Sequence, residues 1–98
     1  MLYVLIGRDG PHGAALRPKL RGDHLAYLSE LCRQGRVRLA GPMTDGSGSL
    51  VILDVPSEEE ARRIAAGDPY ARGGVFAEVE IHPFRRVLPE TESDRETA

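Results

Sequence analysis

The sequence predicts an α+β domain of ferredoxin-like type, in which a four-stranded antiparallel sheet carries two helices on one face. Its hydrophobic patterns follow the order β-α-β-β-α-β within the first 88 of 98 residues, and right-handed crossovers place both helices on the same side of such a sheet. A chain of this length supports a single hydrophobic core. We therefore predict one domain over residues 1–88 and a disordered tail over residues 89–98, where apolar anchors are missing.

The first half of the domain begins with a strand from Leu2 to Gly7, rich in leucine, valine and isoleucine. Pro18 suits the first turn of a helix, where its missing amide proton costs nothing, so helix one is predicted from Pro18 to about Gln34. A buried stripe recurs along it at helical spacing: Leu20, His24, Tyr27, Leu28 and Leu31.

A β-hairpin is predicted next. Alternation over residues 37–40 predicts strand two, with Val37 and Leu39 on the same face. The Asp45-Gly46 pair is typical of a short turn and leads into strand three, from Leu50 to about Val55.

The second half of the domain begins at Ser57 and Glu60, whose spacing is that of a capping box at the start of helix two. This helix must end by Asp68, because a residue before proline avoids helical geometry. Asp68 is also a preferred N-cap for a short turn from Pro69 to Arg72. Apolar and polar residues then alternate over residues 75–81, which predicts a half-exposed fourth strand.

One face of the sheet is expected to remain uncovered by helices. Strands one and three are central in this topology, and both are apolar on both faces. An exposed apolar patch of that size is usually an interaction surface. We therefore expect a homodimer in which two open sheet faces pack together.

Composition excludes several classes of function. A net charge of −2 and a pI near 5.9 provide no positive field for nucleic acid or an anionic membrane. No apolar run is long enough for a membrane span. The apolar residues 1–6 lack the basic leader of a signal peptide, so we expect a cytoplasmic protein.

His24 and Asp68 are the candidate catalytic residues. An imidazole accepts and returns protons near neutral pH, and a carboxylate on its other nitrogen fixes the tautomer. We expect the fold to bring the two side chains together for proton transfer, with neither metal nor cofactor. The alternatives are that His24 is a core histidine satisfied by a backbone carbonyl and that Asp68 is only a helix cap.

Four further residues are candidates for binding a small substrate in the same cleft. Tyr70, beside the aspartate, is an orienting hydroxyl, an auxiliary acid or a packing residue. Ser49 is either a substrate ligand or an ordinary strand-edge hydroxyl. Gly41 and Pro42, at the end of strand two, are expected to line the cleft with backbone atoms.

The chain resembles the YciI-like (YCII-related) family over residues 1 to about 88. Five segments carry the resemblance by their order and spacing: Met1-Leu2-Tyr3-Val4, Asp23-His24-Leu25-Ala26-Tyr27-Leu28, Gly41-Pro42, Asp68-Pro69-Tyr70 and His82-Pro83-Phe84. The resemblance implies a dimeric α+β barrel related to the muconolactone isomerase group, with His24 and Asp68 as its catalytic pair. One member of the family is similar to a dehydrochlorinase that acts on a chlorinated hydroxyhydroquinone. The connection over residues 43–49 is short, whereas other members often carry a longer loop there, so the resemblance does not extend to the choice of substrate.

Two classes of function follow. The first is a cofactor-independent enzyme, a lyase, dehydrochlorinase or isomerase, in which His24 and Asp68 transfer protons on a small cyclic or aromatic metabolite. The second is a non-catalytic dimeric module that binds a small molecule or serves as an accessory domain, with the pair kept for structure.

Overall fold

The computed structural model describes residues 1–90. Its elements are β1 (Leu2–Asp9), α1 (Gly13–Arg33), β2 (Val37–Pro42), β3 (Gly48–Asp54), α2 (Glu58–Gly67), α3 (Pro69–Arg72) and β4 (Phe76–Phe84). Most of the predicted tail, residues 91–98, lies outside the described part of the chain. No helix within residues 1–90 has the length and apolar character needed to cross a membrane.

The four strands form one antiparallel sheet in the order β2-β3-β1-β4. This confirms the prediction that strands one and three are central. Side chains of these two strands alternate between a buried face and a partly exposed face. Both long helices pack on the buried face, and the core between them and the sheet contains Tyr3, Leu5, Leu28, Leu31, Val51, Leu53, Ala61, Ile64 and Ala65.

Helix α1 begins earlier than predicted, at Gly13, and contains Pro18 in its interior. A tertiary contact explains the extra turn, because Arg17 forms an ion pair with Asp9 at the end of β1. Gly13 makes room for that carboxylate, since a Cβ at this position would lie 2.7 Å from an Asp9 carboxylate oxygen. The helix also continues without a break through Gly22. The start of α1 is thus set by packing against β1, and this outweighs the preference of proline for the first turn of a helix.

Strand β2 differs from its prediction in two respects. Val37 is buried opposite Leu53, whereas Leu39 lies opposite Ile52 and is 65% exposed, so the predicted common face for Val37 and Leu39 is wrong. A register shift between these two residues turns their side chains to opposite faces of the sheet. The strand also extends through Gly41 and Pro42, which therefore lie beside β3.

Three signals encoded by adjacent residues are confirmed. The Ser57 side chain accepts a hydrogen bond from the Glu60 amide at the start of α2, and α2 ends at Gly67 as the following Asp68-Pro69 pair requires. Gly46 turns the hairpin with a φ of 80°. The reciprocal half of the capping box is not formed, because the Glu60 carboxylate instead binds Arg36, 2.6 Å away.

Candidate active site

The fold places His24, in the middle of α1, against Asp68, at the junction of α2 and α3. Nδ1 of His24 lies 2.7 Å from Oδ1 of Asp68, and only 9% and 5% of the two side chains are exposed. The residues are 44 positions apart in the chain. Their predicted proximity is therefore confirmed as a tertiary contact.

Asp68 holds the histidine and caps a helix with the same oxygen. Oδ1 accepts a hydrogen bond from the Tyr70 amide at 2.9 Å, which makes Asp68 the N-cap of α3. Since this oxygen is an acceptor, the His24 nitrogen that faces it carries a hydrogen and donates a hydrogen bond to the carboxylate. The lone pair of the neutral ring is then on Nε2. The Asp68 side chain thus both caps α3 and orients the His24 ring.

The second ring nitrogen of His24 is accessible. Nε2 has no hydrogen-bond partner among residues 1–90, and no side-chain nitrogen or oxygen in that range is both fully buried and unpartnered. His24 lines a cleft of about 260 Å³ between α1 and strands β2 and β3. A small molecule in this cleft can therefore meet an imidazole nitrogen that is free to accept a proton.

All four residues predicted to bind substrate border this cleft: Gly41, Pro42, Ser49 and Tyr70. Ser49 is 3% exposed, and its hydroxyl oxygen accepts a hydrogen bond from Arg17 Nη2 at 3.0 Å. This contact ties the cleft wall on β3 to α1. Ser49 is thus a buried link between two elements of the site, and the strand-edge alternative does not describe it.

Tyr70 packs directly against the imidazole. The two rings are parallel within 5°, with their centroids 3.7 Å apart, and the Phe76 ring stands perpendicular to Tyr70 with a centroid distance of 5.7 Å. A Cβ at Gly7 would lie 2.5 Å from the Phe76 ring, so this glycine makes room for the aromatic stack. The stack fixes the plane of the His24 ring while Asp68 fixes its rotation.

Two arginines of the cleft, Arg17 and Arg21, are additional to the predicted site. With His24 they recur at a spacing of four and then three residues, which places all three on one face of a helix. Starting the helix at Pro18 leaves Arg17 in the preceding loop and hides this stripe. Hydrogen bonds to Asp9 raise the pKa of Arg17 against the opposing effect of its partial burial, so the guanidinium stays charged.

Comparisons with known proteins agree with one another. The profile of the YCII-related domain matches residues 1–85. Protein YciI of Escherichia coli is 36% identical over 98 residues, which cover 90% of this chain and all of that protein. A protein of Haemophilus influenzae is 34% identical over the same shares of both chains.

A solved structure is also similar. The 5-chloro-2-hydroxyhydroquinone dehydrochlorinase TftG of Burkholderia phenoliruptrix, in complex with 2,5-dihydroxybenzoquinone, superposes with a TM-score of 0.78 at 25% identity. The superposition covers 88% of this chain and 95% of that one.

Proposed function

The chain belongs to the YCII-related family, and we propose that it is a small enzyme that transfers protons on an oxygenated ring substrate, with His24 as the base. The observation that carries this proposal is the placement of the imidazole: Nδ1 faces the buried Asp68 carboxylate, the ring lines a cleft, and Nε2 has no hydrogen-bond partner among residues 1–90. The similarity to a dehydrochlorinase supports the same class of chemistry.

The proposed reaction begins when Nε2 of His24 removes a proton from a ring hydroxyl or from carbon beside a carbonyl. Asp68 stabilises the imidazolium that forms. The electron pair left on the substrate moves to a ring carbon, which takes up a proton. If that carbon carries a leaving group such as chloride, loss of a proton from a second ring hydroxyl then expels the chloride and leaves a quinone; without a leaving group, the reaction stops at the proton shift. The first outcome is an elimination and the second an isomerisation, and neither consumes an external oxidant.

The wild-type protein is expected to release chloride from 5-chloro-2-hydroxyhydroquinone faster than buffer does. The assay is run without oxygen, because hydroquinones oxidise in air, and chloride is measured with a selective electrode while ¹H NMR in D₂O follows the ring. An unchlorinated hydroxyhydroquinone tests the isomerase route through exchange of ring hydrogens for deuterium. Chloride release and exchange both at the buffer rate would contradict the enzyme proposal. Ligand-induced thermal stabilisation without turnover would favour the non-catalytic binding module.

We also propose that the protein is a homodimer that packs through the open face of the sheet. This face carries Val4 and Ile6 of β1 beside Leu50 and Ile52 of β3, all only partly buried and all facing away from the helices. The Arg38–Asp54 ion pair, 2.5 Å long, lies towards one border of this apolar centre. An apolar centre with a polar rim is typical of a protein interface.

Ile52→Asp is expected to convert the dimer to a monomer. Ile52 lies on a central strand between Val4 and Leu39, so a dimer through this face would bury an unpaired carboxylate at a cost of several kcal/mol. Light scattering after size-exclusion chromatography should give twice 10.7 kDa for the wild type and 10.7 kDa for the variant. Leu88→Asp is the control, because Leu88 is 79% exposed beyond the last strand. A monomeric wild type, or an unchanged mass for Ile52→Asp, would contradict the interface.

A further inference from the structure

We propose that Arg17 is the anion-binding residue of this cleft and that the site selects small molecules whose negative charge is carried by oxygen. An ionised phenol or enol and a carboxylate share this chemistry. The inference rests on the proposed function, because it names the class of substrate that the same site takes.

The guanidinium of Arg17 is fixed before any ligand binds. Nε lies 2.7 Å from one carboxylate oxygen of Asp9, and Nη2 lies 2.8 Å from the other and 3.0 Å from the Ser49 hydroxyl. Its central carbon is 5.0 Å from the centroid of the Tyr70 ring. Nη1 takes no part in these three bonds. A planar donor group held on one side and bordering a cleft on the other is preorganised to bind an anionic oxygen.

The charges around the cleft favour the same class of ligand. The charged side chains that line it are Arg17 and Arg21, both cationic. Within residues 1–90 the Arg21 side chain is exposed and forms neither an ion pair nor a hydrogen bond. The carboxylates of Asp9 and Asp68 lie behind this surface, with 10% and 5% of their side chains exposed, and each is already engaged by a cleft residue. The surface offered to a ligand is therefore positive.

Arg17 and His24 converge on one small region. The imidazole stacks on the Tyr70 ring, and the Arg17 guanidinium borders the same ring. Both side chains also line the same cleft, so the inference places the charged oxygen of a ring-sized molecule at Arg17 and its ring within reach of His24. When that nitrogen takes a proton, negative charge develops on the substrate, and a preorganised cation stabilises it where it forms.

Two matched pairs of probes test this inference by binding alone. In the first, 4-nitrophenolate is compared with neutral 4-nitroanisole, and in the second, benzoate with neutral benzamide. NMR titration of the wild-type protein should show tighter binding of the anion in at least one pair, by about 10- to 100-fold, the range of a hydrogen bond to a charged group. Tighter binding of the anion in the first pair indicates a site for ionised hydroxyls, and in the second pair a site for carboxylates.

Arg17→Met should abolish the preference for the anion, whereas Arg33→Met should keep it. Arg33 is the matched control, because it is an exposed arginine of the same helix whose sole ion-pair partner within residues 1–90 is Glu30. Arg17→Met leaves the Asp9 carboxylate without its partner. If this single variant does not fold, the double variant Asp9→Asn/Arg17→Met is used in its place. Circular dichroism and a thermal melt establish folding for each variant.

Three outcomes would overturn the inference: no binding of any of the four probes, equal binding of anion and neutral analogue, or a preference that survives the loss of Arg17. None of these depends on turnover. A protein that prefers the anions but releases no chloride would contradict the proposed enzyme and leave the anion site standing. A protein that turns over substrate but shows no preference for the anions would support the proposed enzyme and contradict the anion site.

Discussion

His24→Gln is expected to lower kcat for the ring substrate by about 10²- to 10⁴-fold, the range typical of a lost general base. The glutamine side chain fills similar space and can hydrogen-bond to Asp68, but its amide does not accept a proton at neutral pH. Substrate affinity should stay close to that of the wild type, because Arg17, Ser49 and Tyr70 are unchanged. Steady-state kinetics together with titration of a non-reacting ligand separate these two effects.

His12→Gln is the control for this substitution, because His12 is an exposed histidine that precedes α1, and its side chain forms no cap hydrogen bond. Its kcat should equal that of the wild type. If His24→Gln retained full turnover and lost only thermal stability, His24 would be a structural core residue and the proposed base would be wrong.

Asp68→Asn should lower kcat by about 10- to 150-fold while the fold is maintained. Asparagine keeps an oxygen that can accept from the Tyr70 amide, and it keeps the size of the side chain, but it removes the negative charge beside the imidazolium. A hydrogen bond to a charged group contributes about 1.5–3 kcal/mol, which corresponds to this range of rates. The measurement is kcat with a thermal melt of the same sample.

Asp68→Ala separates the two roles of this residue. Alanine removes the orienting contact and also the cap of α3, so stability should fall by about 1 kcal/mol more than in the asparagine variant. An asparagine variant with wild-type kcat and an alanine variant that is merely unstable would show that Asp68 acts only as a cap.

Much of the fold could be predicted because adjacent residues encode it. The Ser57 cap, the end of α2 before Asp68-Pro69 and the turn at Gly46 all depend on the backbone preferences of a few neighbouring positions. The buried stripe of α1 carries His24, and the topology then brings it to Asp68. These parts of the site could be found from the sequence because their signals are local or periodic.

The remaining parts depend on contacts between distant residues. Helix α1 extends past its proline because Arg17 meets Asp9 across a loop, and only then does Arg17 join the helical face that carries His24. Leu39 turns to the open face through a register shift that is defined by its pairing with β3. Neither event has a signal in neighbouring residues, so the place of Arg17 beside His24 in the cleft is visible only in the folded structure.

The most direct test of the His24–Asp68 mechanism is a double-mutant cycle in kcat/KM for the wild type, His24→Gln, Asp68→Asn and the double variant. If Asp68 acts through His24, its substitution should have no further effect once the imidazole is gone, and the double variant should match His24→Gln alone. Independent losses that multiply in the double variant would show that the two residues do not work as a pair, and would contradict the mechanism.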